Sequence, residues 1–137
     1  MPWLEAQEVL LMIKTVTIEI WERTFDLDIM SSFYESEHLS PDQEGAVNKF
    51  LANLKWIEKA KTAVEKYCKF DVENDDENIK KDNIFSYVKP KCIFVEADVE
   101  IPRVALLLHY RYDPEHGLAV VFDSNGNVTV GIQDIII

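Results

Sequence analysis

The chain has 137 residues, 47% of them hydrophobic, with 14 basic against 25 acidic side chains for a net charge of −11. That length and apolar content suit one domain spanning 1–137, able to bury roughly 70% of its unfolded surface. Surplus carboxylates argue against a nucleic acid or an anionic membrane surface as partner, because both are bound through an excess of Lys and Arg. No apolar run approaches the ~20 residues of a membrane span, and MPWLEAQEVLLMIK has neither the basic start nor the small-residue cleavage site of a secretion signal, so a cytoplasmic location is expected.

Residues 1–14 fit either an amphipathic helix or a strand, and a strand from about Val9 is expected. From Thr15 the pattern alternates strictly: Val16, Ile18, Ile20, then Phe25, Leu27 and Ile29 on one side, with Thr17, Glu19, Trp21, Thr24, Asp26 and Asp28 on the other. Period-two alternation in two adjacent runs predicts a hairpin over about 9–30 with one wet face, its turn at Glu22-Arg23. Ser40-Pro41-Asp42-Gln43 then combines an N-cap, a Pro at the first helical position and a capping-box Gln. The helical segment runs over about 41–69, as one long helix or two shorter ones broken near Ala52-Asn53, with Val47, Phe50, Leu51, Leu54, Ile57, Val64, Tyr67 and Cys68 as its buried stripe.

Residues 70–79 read as an acidic, solvated loop; the spacing is wrong for a calcium-binding loop, since Asp76 stands where its Gly is needed. Four strands follow at roughly 91–99, 103–112, 117–123 and 127–132, the last two joined through Asn125-Gly126, a strong hairpin signal because both residues tolerate positive φ. Short connections imply antiparallel neighbours. The expected fold is α+β, an antiparallel and largely meandering sheet with the helical segment packed on one face. Cys68 and Cys92 lack Cys-x-x-Cys spacing and read as structural thiols.

Glu115-His116-Gly117 through Phe122, followed by Gly-Asn-Val and by Val130-Gly131-Ile132-Gln133-Asp134, resembles the C-terminal signature of a family of small bacterial domains. The likeness extends over about 15–134, including the helical stretch that opens Ser-Pro-x-Gln. The resemblance implies no particular activity; in size and acidity it is similar in character to bacterial immunity or accessory proteins.

Nucleophile elbows, phosphate-binding loops, dinucleotide fingerprints and zinc-protease motifs do not occur, so no catalytic residue, metal or cofactor is assigned and an enzyme is the less favoured class. Two sites are expected instead. The first is a partner-binding outer sheet face built from Trp21, Asp26, Asp28, Phe94, Glu96 and His109, aromatic anchors inside a charged rim. Its occupant would be a basic protein, in the manner of an immunity-type inhibitor, or a second copy in a structural homodimer. The second is a polar corner of Glu115, His116, Gln133 and Asp134, in which a small-ligand binder or enzyme would work; the turn at Asn125-Gly126 brings the end of the chain back beside Gly117. Segment charges favour the first, since residues 1–40 carry two basic and eight acidic side chains while residues 41–69 carry six and four.

Overall fold

Six strands form one sheet in the order β1-β2-β3-β4-β5-β6 in the computed structural model, which describes residues 10–32, 39–71 and 83–137. The expected acidic loop, beyond its first two residues, and His38 lie outside those residues. Strands β1 (Leu10–Ile20) and β2 (Arg23–Ser32) pair antiparallel from Ile20↔Arg23 to Leu10↔Ser32. Their parity is as expected: Ile18, Ile20, Leu27 and Ile29 are buried, while Thr17, Glu19, Asp26 and Asp28 are exposed.

The turn, however, falls one residue earlier, at Trp21 (φ 49°) and Glu22 (φ 75°). Two successive left-handed residues match the twist of a tight hairpin, but a bulky side chain disfavours that region and needs compensation. Compensation comes from the later part of the helical segment: the Trp21 indole N–H donates to the Ile57 carbonyl at 2.8 Å, and the Trp21 backbone N–H donates to the Glu58 carboxylate at 3.2 Å.

Helix α1 (Pro41–Ala52) opens with the complete capping box, Gln43 N–H donating to Ser40 Oγ at 3.1 Å and Ser40 N–H donating to Gln43 Oε1 at 2.9 Å. The helical segment is two helices, parted at Asn53-Leu54 before α2 (Lys55–Asp71). Gln43 is itself buried, and its amide N–H2 donates to Ser31 Oγ at 2.8 Å and to the Glu96 carbonyl at 3.0 Å, so the cap also fastens α1 to the sheet.

Strand β3 (Val88–Val95) starts before and ends short of the expected span, with a bulge between Pro90 and Cys92. It pairs with β2 in parallel, from Asp28↔Cys92 to Met30↔Phe94. The sheet is therefore mixed, which corrects the expectation of an antiparallel meander. Parallel neighbours require a long crossover, and the stretch from Phe33 to Tyr87 that holds both helices supplies it. Strands β4 (Val104–Tyr110), β5 (Leu118–Phe122) and β6 (Val128–Gly131) complete the antiparallel half.

Burial on the helix-covered face joins Val47, Phe50, Ile57 and Val64 to Ile29, Ile93, Leu106, Val120 and Phe122. The opposite face is also buried at its centre, where Cys92, Phe94, Ala105, Leu107, Ala119 and Val121 pack with Ile136 and, in part, Met30 and Ile135. A short 3-10 turn over Gln133–Ile135 helps to cover this face by folding the C-terminal isoleucines over it. Strands VALLL and LAVVF are apolar on both parities, which is the mark of a strand buried on both sides.

Candidate functional site

The wet face of the β1–β2 hairpin is a ladder of Thr and acid. Register pairs Thr15 with Asp28, Thr17 with Asp26 and Thr24 with Glu19, and the hydroxyls of Thr15 and Thr17 donate to Asp28 and Asp26 respectively. Among the described side chains, Glu19, Asp26 and Asp28 form no ion pair with a basic residue. The two aromatic residues expected beside them are elsewhere. Trp21, at the turn, is 3% exposed and packs on Phe85 at 6.0 Å between ring centroids, while Phe94 is 2% exposed in the second core. Both expectations fail for one reason: strand parity assigns a side but cannot reveal what covers it.

Glu96 has an internal partner. Its carboxylate accepts from Arg103 Nε at 3.0 Å, Arg103 Nη2 at 2.7 Å and the Arg103 backbone N–H at 2.8 Å, closing the β3–β4 connection. Burial would raise the carboxyl pKa, but these Arg103 hydrogen bonds outweigh it and hold the group below its ordinary range. His109 was expected near Phe94 and Glu96. The register instead sets His109 opposite Lys89 and Phe94 opposite Ala105. Exposed His109 borders a shallow groove of about 330 Å³ together with Lys89, Arg111 and Pro114.

The polar corner does assemble. Gln133 N–H donates to the His116 carbonyl at 3.3 Å, and the Gln133 side-chain amide donates to the Leu108 carbonyl at 3.3 Å while lying against Gly117. His116 Nδ1 meets Asp113 Oδ1 at 2.9 Å, and that hydrogen bond, reinforced by the charges of Asp113, Glu115 and Asp134, raises the imidazole pKa. Each contact holds the loop together. His116, Glu115 and Asp134 are exposed, Gln133 spends its amide N–H on backbone, and none of the four lines the groove beside His109. Among the described residues no group of His, Cys, Asp and Glu is placed to hold a metal ion. Cys92 is buried and its thiol pKa is pushed up to about 11 by that burial, against the nucleophilic thiolate form.

Residues 4–137 match the family described as a domain of unknown function, DUF6985. The chain belongs to the DUF6985 family. No curated protein and no solved structure matches it. In this DUF6985 chain no helix among the described residues is long and apolar enough to cross a membrane.

Sequence reasoning missed one feature of the DUF6985 chain, a cleft of about 170 Å³ between α1, the β3–β4 loop and the β5–β6 turn, with Trp56 and Phe122 in its wall. The available signals were a Gly inside a well-capped helix and the apolar pair Ile101-Pro102 inside a polar loop.

Proposed function

We propose that the chain is a non-catalytic protein-binding module, acting as an immunity-type inhibitor or accessory factor, that presents the acidic face of its β1–β2 hairpin to a basic protein. The carrying observation is that Glu19, Asp26 and Asp28 stand exposed on one side of the hydrogen-bonded β1–β2 ladder, with no cation paired to them among the described residues. Unneutralised carboxylates at fixed spacing create a directional field, which steers a positively charged partner and sets its orientation more than it adds raw affinity. The net charge of −11 reinforces that field over the whole molecule.

Association kinetics with a basic partner captured by the chain test this reading. The on-rate should fall several-fold as the Debye length shortens from about 30 Å at 0.01 M salt to about 8 Å at 0.15 M. The Asp26→Lys/Asp28→Lys double variant should lower the low-salt on-rate and flatten its salt dependence. An on-rate indifferent to both salt and charge reversal overturns the proposal.

A further inference from the structure

The cleft beside Trp56 has a composition of its own. Trp56 and Phe122 stack in its wall at 6.3 Å between centroids and 24° between planes, and Ile101, 66% exposed, stands at its edge. Asp42, Glu100 and Asp123 also line it, against Lys49 as the one cation among the described lining residues. Asp123 is fixed by the β5–β6 turn, accepting from Asn125 N–H at 2.8 Å and from Asn127 N–H at 3.0 Å.

Gly45 supplies a second, independent observation. It lies inside α1 and lines the cleft, yet a Cβ built on it would meet nothing within 4 Å. Glycine inside a helix is unfavourable relative to alanine, so a glycine with no close packing neighbour calls for another reason. The space beside Gly45 is left open to the cleft.

Size and charge select the occupant. At about 170 Å³ the cleft is close to a cavity of ~150 Å³ that takes benzene and well below the ~300–1,000 Å³ of metabolite sites, so one side chain fits and a cofactor does not. An apolar aromatic wall within an acidic rim suits a side chain with an apolar stem and a cationic head. The planar guanidinium of arginine packs on aromatic surface and donates to carboxylates at its edge, which a lysine ammonium does less well.

Resting on the reading of a basic partner, we propose that this cleft receives a single arginine side chain of that partner, anchored on Trp56 and rimmed by Asp42, Glu100 and Asp123. The hairpin acids then govern approach and the cleft governs residence, because buried Arg anchors at interfaces act mainly on the off-rate.

The test uses blocked pentapeptides with arginine, citrulline or norleucine between apolar residues, titrated into the full chain and followed by the Trp56 indole N–H resonance. The arginine peptide should give a saturable shift, with citrulline about tenfold weaker, as expected for loss of the cation beside carboxylates. Gly45→Met, which fills the cleft from an open position, and Glu100→Gln, a change on an exposed loop that leaves folding intact, should each weaken arginine binding several-fold. Asp26→Lys/Asp28→Lys should leave peptide binding unchanged. Absence of saturation, or equal binding of norleucine and arginine, overturns the arginine assignment. A dimer of the chain that Gly45→Met dissociates would seat a second copy in the cleft and overturn it equally. If the peptide fails while hairpin charge reversal still slows association with the basic partner, only the cleft assignment falls.

Discussion

Gly126 lies flush against the indole of Trp56: a Cβ built on the glycine would sit 2.5 Å from both Cε2 and Nε1 of the ring. The same residue has φ of 84°, and its N–H donates to the Asp123 carbonyl at 3.0 Å to close the turn. Conformation and close approach thus both require glycine there.

Gly126→Ala should cost about 2 kcal/mol, roughly 1 from the left-handed backbone and the rest from displacement of Trp56. Combining it with Trp56→Ala separates the two, since the clash disappears and only the backbone strain remains. Denaturant unfolding of the four proteins of that cycle should give a coupling of about 1 kcal/mol; simple additivity would mean that the ring moves aside freely.

Loss of the cap should be felt in two steps. Ser40→Ala removes one acceptor at the start of α1 and should cost about 1 kcal/mol. Gln43→Ala should cost more, about 2 kcal/mol, because Gln43 also donates to Ser31 Oγ and to the Glu96 carbonyl inside the protein. Equal shifts of the denaturation midpoint would show that the cross-links from Gln43 to the sheet contribute nothing.

Trp21 is a stability residue. Trp21→Ala should cost about 3–5 kcal/mol through loss of a buried aromatic side chain and its hydrogen bond to the Ile57 carbonyl. Trp21→Phe should recover most of that. Calorimetric midpoints decide it, and a Trp21→Ala protein as stable as the parent would return the residue to the surface.

Glu96 gives the fold an acid-sensitive element. Its folded pKa lies below the ordinary value of 4.5, so its contribution is present above that pH and fades as pH falls through the depressed value. Glu96→Gln should therefore cost about 1 kcal/mol near neutrality, a modest figure because Arg103 remains 39% exposed, and progressively less on acidification. Urea midpoints at pH 7 and pH 3 for both proteins should converge at the lower pH; a constant difference would exclude a role for the charge.

What could be read from the sequence was whatever neighbouring residues decide among themselves. Ser40 caps α1 because its hydroxyl meets an N–H three residues on, Gly126 turns left because the local geometry of a short Asn-Gly turn asks it to, and the parity of Ile18 against Asp26 follows from the strand's period of two. The return of Gln133 to the neighbourhood of Gly117 followed in the same way from one short turn. Pairing across distance was beyond that reach. Whether β3 joins β2 in parallel depends on how two helices cross the sheet, and whether Phe94 or Trp21 meets water depends on where Ile135, Ile136 and Ile57 come to rest, all of them more than 30 residues away along the chain. Local sequence sets which way a side chain points, because that is a matter of adjacent torsions. Only the tertiary structure sets what lies there to meet it, because burial is a property of surfaces brought together from remote parts of the chain.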